Sequence, residues 1–123
     1  MAIKNAQALK VARDFVSAVQ QAGVHLQAAY LFGSYAKGTA HAHSDIDIAL
    51  ISKDFSGWVD DLQLIKPAII SMDSRIEHVR FNPGSFVDQN PLAWEVKTTG
   101  ISLLPKTRLR QRRAPSKPTR KRT

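Results

Sequence analysis

LFGSYAKGTAHAHSDIDIAL, residues 31–50 of a 123-residue chain, contains the residues on which the fold and the chemistry turn. Asp45 and Asp47 alternate with Ile46 and Ile48, the period-two pattern of a strand with carboxylates on one face and isoleucines on the other. On such a strand the alpha carbons of Asp45 and Asp47 are ~6.6 Å apart, so the two side chains leave the same face. Carboxylates that close repel each other unless a cation lies between them. Mg²⁺ suits that position, since it binds a few carboxylates together with substrate phosphate oxygens. An isolated Asp-x-Asp is more often just the start of an ordinary exposed strand, and it is Gly33-Ser34 that changes the reading. Gly33 ends the apolar run VHLQAAYLF, where a residue without a Cβ lets a phosphate approach the backbone. Ser34 then opens a short helical turn with free N–H groups and a hydroxyl, and Lys37 adds a point charge. Phosphate donors followed by paired carboxylates describe a site for a nucleoside triphosphate with its metal.

Outward from this stretch, the pattern predicts an order of α-β-α(short)-β-α-β-α-β. Ala8, Ala12, Phe15, Val19 and Ala22 fall on one face of a helix over residues 3–22, stopped by Gly23. Residues 24–32 and 45–51 read as strands. Residues 57–72 read as a helix that Pro67 should kink or split. Residues 75–81 read as a third strand, Asn90-Pro91 opens a helix to about Thr99, and residues 101–104 form a last short strand. This is an α/β (α+β) domain with a mixed β-sheet flanked by helices. Trp58, Trp94 and Phe15 are expected in the core, and Asp60-Asp61 on a solvated helix face. His25 and His78 take no role.

The segment GSYAKGTAHAHSDIDIAL resembles the signature of the minimal nucleotidyltransferases of the DNA polymerase beta superfamily: Gly-Ser, a short helical loop, then Ser-Asp-x-Asp. The likeness extends over about residues 1–104, with RIEHVRFNPGSFVDQNPLAWEVKTTGISLL similar to that family's third strand and closing helix. It implies a polymerase-beta-like nucleotidyltransferase fold. Gly33, Ser34, Lys37 and Ser44 would serve the nucleotide, and Asp45, Asp47 and Glu77 would be the catalytic carboxylates that ligate Mg²⁺, with two ions expected. Glu77 rests on the resemblance, because neither the Arg75, Glu77, Val79, Phe81 face nor the Ile76, His78, Arg80 face is cleanly apolar. Asp73 falls too early to compete for that position. The implied activity is transfer of a nucleoside monophosphate, AMP from ATP in the first instance, to an acceptor hydroxyl. Minimal members commonly work as antitoxins beside helical HEPN proteins and can adenylylate a tyrosine of that toxin, a type VII-like arrangement. A module that keeps the fold and binds its partner without turnover is the alternative. His41 and His43 extend the alternating row into a loop; the spacing could bind zinc or another transition metal, but Mg²⁺ does not favour imidazole, and they read as solvated residues or neighbours of the nucleotide.

Composition limits the remaining possibilities. Without cysteine there is no disulfide framework, zinc-thiolate site or cysteine nucleophile. No apolar run approaches the ~20 residues that span a bilayer, and the opening MAIKNAQALKVARDF has no secretory apolar core, so a cytoplasmic location is expected. The formal charge is +8, from 18 Lys and Arg against 10 Asp and Glu. Nine of the basic residues and none of the acids lie in residues 106–123, which leaves residues 1–105 at −1. That tail has too little apolar surface to offset its ordering entropy and is expected to be disordered. It divides the chain into a nucleotidyltransferase domain, 1–105, and a basic extension, 106–123. The extension is either a nonspecific nucleic-acid contact or a solubilising appendage.

Overall fold

The computed structural model describes residues 5–41, 43–56 and 60–104. The basic extension and Trp58 lie outside the described residues, and so does the domain boundary at 105. The elements run α1 (Asn5–Gln21), β1 (Leu26–Phe32), α2 (Ser34–Lys37), β2 (Ile46–Ser52), α3 (Asp60–Ser71), β3 (Ile76–Phe81), α4 (Pro91–Thr99) and β4 (Ile101–Ser102). This is the order expected from the sequence. The four strands form one mixed sheet in the order β3-β2-β1-β4. β1 is antiparallel to β2 and β4, whereas β2 and β3 are parallel, joined by the α3 crossover. A parallel pair needs such a connection, because a tight turn can only return the chain antiparallel.

Alternation along the strands separates two apolar layers. Ile46, Ile48 and Leu50 of β2 face α1 and α3, packing with Ala8, Ala12, Phe15, Val19 and Ile65. Ala49 and Ile51 face the other way and pack with Phe32, Phe81, Ala93 and Val96 under α4. β2 has helices over both faces, which is why its run IDIALIS is nearly all apolar and almost wholly buried. One residue breaks that pattern on the α4 side: Asp47.

Three expectations are corrected. Pro67 does not split α3, which runs unbroken past it. The Ser71 hydroxyl donates to the Pro67 and Ala68 carbonyls in the last turn, at 3.3 and 3.4 Å. Trp94 is 55% exposed rather than in the core, because α4 docks through Ala93 and Val96 and turns Trp94 outward. Asp61 is only 2% exposed, and its Oδ1 accepts hydrogen bonds from the Ser56 N–H and hydroxyl, at 2.9 and 3.1 Å. The acid thus fastens the β2–α3 connection to the start of α3, at the end of a helix where a carboxylate suits the dipole.

Candidate active site

The site lies on the α4 side of the sheet, where β1, β2 and β3 run side by side. The parallel register sets Asp47 directly beside Glu77, and the antiparallel register sets Phe32 beside Asp47 on the other flank. Neighbouring strands are ~4.8 Å apart and paired residues share a face, so Glu77 points to the same side as Asp47. That resolves the face of β3 that alternation left open. The competing acid, Asp73, is committed elsewhere: its carboxylate takes a two-pronged bond from Arg75, at 2.9 and 2.6 Å. The guanidinium holds the Asp73 carboxyl down at about 2.

Gly33 forms the turn between β1 and α2 with φ of 75°, a left-handed conformation that side chains rarely adopt. A Cβ at this position would overlap the Asp47 carboxylate, whose Cγ would lie 3.1 Å away. Glycine is therefore needed twice, for the turn and for the room it leaves Asp47. Tyr35 is buried and anchors the short helix to the core, while the Gly38 N–H bonds to the Ser34 carbonyl and closes its end. Ser34 is half-buried and begins the turn whose first N–H groups no intrahelical carbonyl can reach.

Asp45 is exposed, one residue before β2. Ser44 is buried, with its hydroxyl accepting the His41 N–H at 2.8 Å while its own N–H bonds to the His41 carbonyl at 3.0 Å. This pair of bonds pins the loop ahead of Asp45. His41 and His43 are both exposed, outside the groove that holds Asp47.

That groove, of about 630 Å³, is lined by Gly33, Asp47, Glu77, Met72, Leu92 and Glu95 among others. Asp47 is pushed up to about 6, first by burial and then by the negative charges of Glu77, Asp45 and Glu95. Glu95, on α4, is the residue that sequence reasoning missed. Its signal is a lone acid between the two buried positions of α4, Ala93 and Val96. Its Oε2 is 3.4 Å from Lys37 Nζ, an ion pair that joins α4 to α2.

Residues 16–108 match the family described as Polymerase beta, Nucleotidyltransferase. The chain belongs to that family. Its nucleotidyltransferase domain is similar to the Protein adenylyltransferase MntA of Shewanella oneidensis, at 37% identity over 78 residues, or 63% of this chain and 53% of that protein. The chain thus spans about half the length of this curated relative. Among solved structures, a toxin–antitoxin with AMP-PNP aligns at TM-score 0.57 and 28% identity, covering 80% of this chain and 77% of the other. A candidate nucleotidyltransferase of Sulfolobus solfataricus has the same fold, at TM-score 0.60 and 20% identity over 80% of both chains.

The carboxylates of the groove fit a hard divalent cation. They offer oxygen ligands without imidazole or thiolate, and Asp47 carries a surplus of neighbouring negative charge that a cation would relieve. Among the described residues no three acidic or histidine side chains stand close enough together to enclose an ion by themselves. Mg²⁺ takes part of its coordination shell from phosphate oxygens and water, so protein carboxylates would supply only some of its ligands. No helix among the described residues is long and apolar enough to cross a membrane.

Proposed function

We propose that this domain transfers a nucleoside monophosphate, AMP from ATP, to an acceptor hydroxyl and releases pyrophosphate. The observation that carries the reading is Asp47: a half-buried carboxylate, raised by its acidic neighbours, set beside Glu77 and beneath a glycine that leaves it room. Asp45, Asp47 and Glu77 would hold Mg²⁺, with two ions expected by family resemblance. When bound, such ions neutralise phosphate charge and bring the attacking and leaving oxygens into line.

The chain's own residues do the rest. Ser34 donates its hydroxyl to the triphosphate, and the first amides of α2 face the same anion. Lys37 supplies the positive charge for the β- and γ-phosphates. The acceptor oxygen bonds to the α-phosphorus as the bond to the bridging oxygen breaks, and pyrophosphate leaves with that electron pair. The acceptor proton passes to a groove carboxylate, Glu77 being the exposed one, and from there to water. Positioning and charge neutralisation supply most of the acceleration in such chemistry. Ser44 contributes by holding the loop that carries Asp45.

The acceptor in this proposal is a tyrosine of a HEPN-type toxin, and the domain acts as its antitoxin in the cytoplasm. The likeness to a protein adenylyltransferase and to toxin–antitoxin structures supports it. One observation favours a second reading, a partner-binding module without turnover: the carboxylates do not by themselves enclose a cation. Incubation with Mg²⁺, ATP labelled at the α-phosphate and the product of the neighbouring gene separates the two. Label on the partner, lost with Asp47→Asn, is the expected result. Label on neither protein with any of the four nucleoside triphosphates would refute the transferase reading for that pair.

A further inference from the structure

The chemistry above uses Lys37 but gives no part to its ion-pair partner Glu95, which lines the groove. α4 is a firm platform for Glu95: Asn90 caps it by accepting the Leu92 and Ala93 N–H groups at 3.0 and 3.2 Å, and Ala93 and Val96 bury its inner face. Glu95 lines the same groove as Asp47, Glu77 and Gly33. Lys37 reaches it from the last residue of the turn that begins at Gly33-Ser34. Both partners are partly solvated, with side-chain exposures of 47% for Lys37 and 35% for Glu95, so their link is readily exchanged.

We infer that Glu95 is a specificity-determining residue that holds Lys37 before nucleotide binds and surrenders it to the polyphosphate of an incoming nucleotide. The inference rests on the nucleotide reading of the groove and adds to it a residue and a discrimination. A ligand with β- and γ-phosphates offers Lys37 more negative charge than one carboxylate does, and so it displaces Glu95. A nucleoside monophosphate lacks those groups and leaves the pair intact. The pair therefore lowers affinity for every triphosphate by the cost of breaking it. In return, Lys37 stays neutralised and parked when only monophosphate is present.

The test measures the affinity of the full chain for a nonhydrolysable ATP analogue and for AMP, each with Mg²⁺. It uses wild type, Glu95→Gln, Lys37→Met and the double variant, all confirmed as folded by circular dichroism. Glu95→Gln should tighten the ATP analogue roughly two- to fivefold, the range that an exposed ion pair supports, and leave AMP unchanged. In the Lys37→Met background the same change should give a distinctly smaller gain, because there is no pair left to break. Equal gains in both backgrounds would show that Glu95 acts only by repelling phosphate, and would overturn the exchange. A loss of affinity on Glu95→Gln, or an equal effect on AMP, would overturn it too. Wild type that binds neither ligand would sink the nucleotide reading itself, whereas normal binding with no response to Glu95→Gln would sink this inference alone.

Discussion

Replacing Asp47 by Asn should stabilise the fold while removing the site's chemistry. Its carboxyl has a pKa of about 6 in the folded chain against 3.8 ordinarily, and burial and the nearby charges of Glu77, Asp45 and Glu95 are the causes. In the unfolded chain the group ionises first, so stability falls as pH rises from about 4 to about 6 and then levels off. Roughly two pH units at about 1.4 kcal/mol each give an upper bound of about 3 kcal/mol. The groove is open to water, and screening reduces this to roughly 1–2 kcal/mol. The amide of Asn has nearly the shape of the carboxylate and removes the charge, so the variant recovers that amount. For a domain of this size the melting temperature should rise by roughly 5–10 °C at pH 7.5. Thermal unfolding of wild type and Asp47→Asn from pH 3.5 to 8 is the assay, without divalent cations. The two curves should meet below pH 4 and separate through pH 6. A variant that melts lower than wild type at pH 7.5, or a gap that is the same at pH 3.5 and 7.5, would refute the electrostatic account of Asp47.

Other predictions follow from particular contacts. Gly33→Ala should destabilise by about 1–3 kcal/mol, the range for a strained backbone, and abolish nucleotide binding by displacing Asp47; chemical denaturation and a binding titration would check both. Asp61→Ala should cost about 1–3 kcal/mol in urea unfolding, since it leaves the Ser56 N–H without its acceptor, and a change under 0.5 kcal/mol would contradict the structural role assigned to the acid. Removing residues 106–123 takes nine positive charges from the chain, and any affinity for single- or double-stranded DNA should fall steeply with salt before the truncation and vanish after it. Unchanged binding by the shortened chain would discard the nucleic-acid role of that segment.

Much of the candidate site can be read directly from local sequence. Gly33, Ser34, Asp45 and Asp47 lie on one strand–turn–strand unit, where period-two alternation and the demands of a glycine turn are visible residue by residue. Glu77 was not legible in that way. Its place beside Asp47 comes from the parallel register of β2 and β3, which the α3 crossover sets and no short-range pattern encodes. Strand β3 also lies at the sheet edge and carries half-buried His78 and Arg80 opposite Glu77, so neither of its faces reads as core. Glu95 was hidden for a related reason, since its partner Lys37 is distant in sequence and meets it only when α4 folds across the sheet. Asp61 and Trp94 sit opposite to what residue type alone implies. A buried hydrogen-bonded acid and an outward-facing tryptophan both obey local packing at a helix end and on a helix face.

The central claim is that Asp47 and Glu77 form a metal-dependent nucleotide site beneath Gly33. Isothermal titration of a nonhydrolysable ATP analogue into the full chain, with Mg²⁺ and then with EDTA, tests it most directly. Binding should appear only with Mg²⁺ and disappear in Asp47→Asn and Glu77→Gln, each first checked by circular dichroism for the wild-type fold. Equal binding with EDTA, or undiminished binding by the Asp47→Asn protein, would contradict it.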